Sequence, residues 1–133
     1  MHDDAERGAG PGSPEAYFGD ERVAVGTWRA VHALLAQLGA VDVRVSRSQV
    51  ALRRAEPRGA AVGYLWVPGR YLGGRGAPVV VSVVLGRADG SPRWKEVVHP
   101  SPRHWVHHLE VTDPEQVDEE VAAWLREAWG HAG

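Results

Sequence analysis

The run Val79-Val80-Val81-Ser82-Val83-Val84-Leu85 is apolar at nearly every position. With Pro78 it is the longest apolar stretch in the chain, yet far short of the ~20 residues a membrane-spanning helix needs. It shows no one-sided period, so it reads as a strand at the centre of a sheet, where both faces are shielded. A central strand requires partners along both of its edges.

The partners are legible as alternations. Val41, Val43 and Val45 alternate with Asp42, Arg44 and Ser46, and Val50 and Leu52 with Gln49, Ala51 and Arg53, each the mark of a strand with one wet face. Ala60 to Val67 reads as a further strand closed by Pro68, after the turn Glu56-Pro57-Arg58-Gly59. Trp94–His99 and His104–Val111 flank Pro100-Ser101-Pro102-Arg103, read as a four-residue hairpin loop. In that register His99 faces His104, Val97 faces Val106 and Lys95 faces His108, while Val98 meets Trp105, Glu96 meets His107 and Trp94 meets Leu109 on the core side. A slip of one residue would exchange the faces.

Helical periods lie near both ends. Ala24, Trp28, Val31, Leu35 and Leu38 form one stripe, with Asp20 as N-cap and Gly39 as a left-handed stop. Ser13-Pro14-Glu15-Ala16 starts a short turn that sets Tyr17 and Phe18 against the body. The last helix is expected to start at Asp113-Pro114 with a capping box to Gln116, and to bury Val117, Val121, Trp124, Leu125 and Ala128. The fold class is α+β: a two-layer sandwich whose antiparallel sheet of five to six strands carries an N-terminal and a C-terminal helix on one face. A chain of 133 residues fits one domain, taken as 14–131, after a Gly/Pro/Asp-rich leader over 1–13 expected to be disordered.

Short stretches add a family likeness. Ser46-Arg47-Ser48-Gln49-Val50-Ala51-Leu52-Arg53-Arg54, Ser91-Pro92-Arg93-Trp94-Lys95-Glu96-Val97-Val98, Trp105-Val106-His107-His108 and Trp124-Leu125-Arg126-Glu127-Ala128 together resemble the bacterial domain-of-unknown-function 5655 family, over roughly residues 20–130. The resemblance implies a compact helix–sheet–helix domain, frataxin-like in outline. It implies no activity and no catalytic residues.

Composition narrows the chemistry. The absence of cysteine excludes disulfides, zinc ribbons, iron–sulfur clusters and thiol catalysis, and suits a reducing, cytoplasmic setting. The N-terminus shows neither the basic start nor the apolar run of a secretory signal. Charge is uneven: residues 1–39 hold three arginines against six acids, 40–100 ten basic residues against four acids, and 101–133 two arginines against seven acids. The sheet is thus basic and the helical flanks acidic.

If two helices cover one face, the other meets solvent or a partner. Arg44, Arg53, Arg93 and Lys95 alternate with core-type residues and are expected on that open face. Tyr64 and Trp66 share one parity, which lies either outward, as stackable rings on a basic platform, or under the helices. These residues are the candidate binding set, for a protein partner or an anionic ligand. Nucleic acid is a secondary expectation, because no RNP motif is present and the pI is near 6.4. The alternative is a small enzyme or metal protein built on the hairpin, with Glu96 and His107 as an acid–base pair and His99, His104 and His108 as metal ligands. The loop Gly73-Gly74-Arg75-Gly76 lacks both the Gly-Lys-Ser/Thr of a phosphate loop and a following helix, so it reads as a strand connection. No cofactor is expected, and no membrane partner.

Overall fold

A computed structural model describes residues 12–56, 59–70 and 73–133. The leader expected over 1–13 lies outside them apart from Gly12 and Ser13, as do Pro57 and Arg58 of one turn and Tyr71 and Leu72 of the glycine loop. The elements are helices α1 (Pro14–Phe18) and α2 (Arg22–Ala36), strands β1 (Val41–Val45), β2 (Val50–Arg54), β3 (Ala61–Trp66), β4 (Val79–Leu85), β5 (Glu96–Ser101) and β6 (His104–Val111), and helix α3 (Glu119–Ala132). Short 3-10 turns at Pro68–Arg70 and Pro114–Gln116 follow β3 and precede α3.

One antiparallel six-stranded sheet has the order β1-β2-β3-β4-β6-β5. The apolar run is β4, paired on both edges and buried at every residue. Val50, Leu52, Leu65, Val81, Val83 and Leu109 point to one face and share a core with Trp28, Val31 and Leu35 of α2 and Val121, Trp124 and Leu125 of α3. Each such fully buried Val or Leu is worth about 1.5–3 kcal/mol relative to exposure. The two long helices therefore cover the same face, as their single stripes required. A register shift between Leu52 and Arg53 makes Val62 the extra residue of a bulge in β3, and its side chain is buried in the core. Gly63 lies so close to β4 that a side chain there would collide with the carbonyl of Ser82.

Several boundaries differ from the sequence reading. Helix α2 is capped by Glu21, whose carboxylate accepts from Val23 N–H at 3.0 Å, and not by Asp20. It ends at Ala36, and Leu38 is left exposed. Gly39 is not left-handed; it is small because Trp129 packs against it, 2.8 Å from where a Cβ would sit. The capping box of Asp113 and Gln116 forms, but around the 3-10 turn; Asp118 caps α3, accepting from Val121 N–H at 3.1 Å.

The hairpin register also differs. Glu96 pairs with His108, Val97 with His107 and Val98 with Val106, one residue away from the expected set, and Ser101 pairs with His104 across a tight Pro102-Arg103 turn after an irregularity between Val98 and Ser101. The faces of β6 are as expected, with His107 and Leu109 inward; those of β5 are exchanged, and Glu96 and Val98 take the open side. Among the described residues no helix is long and apolar enough to cross a membrane.

Candidate functional site

The parity that sends Leu65, Val81 and Val83 under the helices sends their neighbours to the other face. That face carries Arg44 on β1, Arg53 on β2, Tyr64 and Trp66 on β3, Ser82 and Val84 on β4, Val106 and His108 on β6, and Glu96 on β5. Tyr64 and Trp66 are thereby placed away from the helices, the first of the two arrangements the sequence left open.

A hydrogen-bonded chain crosses the middle of this face. Trp66 Nε1–H donates to Ser82 Oγ at 2.9 Å, and Ser82 Oγ lies 2.7 Å from His108 Nδ1. An indole N–H only donates, so the serine accepts from Trp66 and keeps its second lone pair and its own proton for His108. Burial lowers the His108 pKa below its ordinary 6.5; Glu96, directly opposite, pulls the other way, and His107 adds to the lowering. Ser82 is 1% exposed, so its oxygen orders the face and is closed to a substrate.

Beside this chain lies a cavity of about 200 Å³ lined by Arg53, Ala60, Ala61, Tyr64, Val84, Pro100, His104 and Val106. Small and β-branched residues form its apolar lining, while a guanidinium, a phenol and an imidazole bring polar groups to it. His104 is held from behind by α3, its Nδ1 3.1 Å from Nε2 of His131. Arg53 donates to the carbonyl of Gly59 at 3.3 Å and also lines a wider cleft of about 460 Å³ with Arg44 and Arg54 at the β1 edge.

Other candidate residues are placed elsewhere. Arg93 does not join the open face: it donates to Asp118, Glu120 and the carbonyl of Gln116 and lies over the Trp124 ring, so the acidic start of α3 absorbs its charge. Lys95 is exposed just before β5, at the opposite edge of the sheet from Arg44 and Arg53. The four basic residues thus do not form one cluster.

The hairpin histidines are likewise dispersed. His107 is fully buried; Nε2 accepts from Asp89 N–H at 2.9 Å, and Nδ1 faces the carbonyls of Trp105 and Val83 at 3.1 and 3.3 Å. Both ring nitrogens are occupied by backbone, and Glu96 is on the other face, so the expected acid–base pair is not assembled. His99 stacks on Trp105 at 3.8 Å, His104 meets His131 and His108 meets Ser82. The three expected ligands are not gathered, and among the described residues no group of three His, Cys, Asp or Glu side chains is placed to hold a metal ion.

Asp89 was not singled out from the sequence. Its carboxylate also accepts from Trp94 Nε1 at 2.9 Å and from Arg87 at 3.0 Å, and although burial opposes ionisation these donors hold its pKa below the usual carboxylate value. The sequence Asp89-Gly90-Ser91-Pro92 is turn chemistry, and nothing local in it shows that the loop folds back over His107.

The family model for a domain of unknown function, DUF5655, matches residues 15–132. The chain belongs to the DUF5655 family. The match spans all six strands and both long helices, so the open face and its cavity are parts of the DUF5655 domain. No curated protein matches the chain, and no solved structure does.

Proposed function

We propose that this DUF5655 domain is a binding module that holds a small anionic ligand with a flat apolar body on its helix-free sheet face. The observation that carries this reading is the cavity in which Arg53, Tyr64 and His104 converge around Ala61, Val84 and Val106. An apolar lining with a few convergent polar groups is the usual build of a ligand site, and about 200 Å³ is below the ~300–1,000 Å³ of drug-sized pockets. The fit is to a single ring bearing a carboxylate or phosphate, with the anion toward Arg53, whose planar fork matches such groups. A polyanion is favoured less, because Arg93 is neutralised by α3 and Asp42, Glu96 and Glu110 share the face with Arg44 and Arg53. The cysteine-free composition suits work in a reducing, cytoplasmic compartment.

Calorimetric titration with benzoate and with phenyl phosphate tests the proposal, with benzyl alcohol as the uncharged comparator. The anions bind saturably and the alcohol more weakly. Arg53→Ala lowers anion affinity about tenfold, ~1.4 kcal/mol, while the domain stays folded. Equal binding of all three probes, or no binding of the anions at millimolar concentration, refutes the reading.

A further inference from the structure

The two outer strands of the sheet, β1 and β5, differ in what their outer edges, unpaired among the described residues, offer. Strand β5 contains Pro100 and a register shift between Val98 and Ser101, both of which spoil an edge for further pairing. Strand β1 runs from Val41 to Val45 with neither. At its two ends Ser46 N–H donates to the Gln49 carbonyl at 2.9 Å and Ala55 N–H to the Ala40 carbonyl at 3.0 Å. Bonded and non-bonded pairs alternate along an antiparallel ladder. Asp42 and Arg44 therefore direct their backbone groups to β2, and Val41, Val43 and Val45 turn theirs to the free edge.

The side chains of this strand read as their own complement. In Val41-Asp42-Val43-Arg44-Val45, an antiparallel copy centred on Val43 sets Val41 opposite Val45 and Asp42 opposite Arg44. The outward-facing backbone positions then coincide with the bonded pairs of the new ladder. The charged residues fall at the non-bonded pairs, where opposed side chains come closest. Within one chain Arg44 and Asp42 already meet at 3.0 Å while remaining 67% and 39% exposed, so each keeps room for the copy's opposite charge. The three valines are only partly buried at the border of the core and would gain apolar neighbours. The two-fold axis stands perpendicular to the sheet, which keeps both helix layers on one side and both open faces on the other.

We infer that β1 is a homodimerisation edge: a second copy of this chain pairs with it antiparallel about Val43, joining two six-stranded sheets into one. This pairing uses the strand edge, not the cavity, and stands or falls independently of the ligand.

Sedimentation equilibrium of the full chain over a range of concentrations tests it. The mass rises toward twice the 14.5 kDa of one chain. Val43→Pro deletes an N–H that β2 does not use, so the fold is kept, judged by its circular dichroism, and the dimer is lost. Arg44→Asp sets like charges opposite each other and gives a monomer; adding Asp42→Arg reverses the pair and restores the dimer. The charge exchange decides the matter should the proline variant fail to fold. A wild-type chain that stays monomeric at hundreds of micromolar, a dimer indifferent to Val43→Pro, or an exchange that restores nothing overturns the inference.

Discussion

The hydroxyl of Ser82 lies 2.7 Å from Nδ1 of His108 on the sheet face opposite the two long helices. The same oxygen receives Trp66 Nε1–H at 2.9 Å and keeps one lone pair and its own proton for the histidine. The central strand is thereby tied to both of its neighbours across the open face.

A pH dependence follows. Burial holds the folded pKa of His108 below its ordinary 6.5, so the unfolded chain takes up the proton first as pH falls. The contribution is complete above pH 6.5 and is lost as pH drops below it toward the depressed folded value. Urea midpoints on the two sides of that pH should fall more on acidification for the wild type than for His108→Gln. Parallel shifts for the two proteins would show that His108 is not the linked group.

The core makes a larger demand. Trp124 is 6% exposed and packs on Trp94 with ring centroids 4.2 Å apart. Trp124→Ala should cost about 3–5 kcal/mol, as for other large-to-small aromatic changes. Against the ~5–15 kcal/mol typical of a domain, its melting temperature should drop sharply. A melting curve that does not move would place Trp124 outside the core.

Arg93 and Arg44 separate structural from exposed charge. Arg93→Ala removes contacts to Asp118, Glu120 and the Gln116 carbonyl and uncovers the Trp124 ring, and should cost ~1 kcal/mol, less at high salt. The guanidinium of Arg44 is 67% exposed, and its removal should leave the melting curve almost unchanged when read at a concentration low enough to keep the chain monomeric. Equal effects of the two changes would contradict the placement of Arg93 against α3.

The sheet, the two helices and their common face were legible because alternation and helical period depend on local chemistry alone. The β5–β6 register was not, since the adjacent valines Val97 and Val98 let either parity pass for the apolar one. That slip moved Glu96 from His107 to His108, and with it the acid–base reading. Arg93 alternates correctly with its neighbours, but its true partners lie on α3, more than twenty residues along the chain. The outward position of Arg53 was legible from the alternation of Gln49, Ala51 and Arg53 with Val50 and Leu52, whereas Tyr64 and Trp66 share a parity that alone names neither face. The role of His104 depended on His131, which only the folded chain brings near.

The central claim, that the helix-free face is the ligand surface, is tested most directly by amide chemical shifts in a ¹⁵N-labelled sample titrated with phenyl phosphate. The account predicts saturable shifts at Arg53, Ala61, Tyr64, Val84, His104 and Val106, absent in Arg53→Ala, with the amides of α2 unmoved. Shifts confined to the helix side, or a spectrum that does not change, would contradict it.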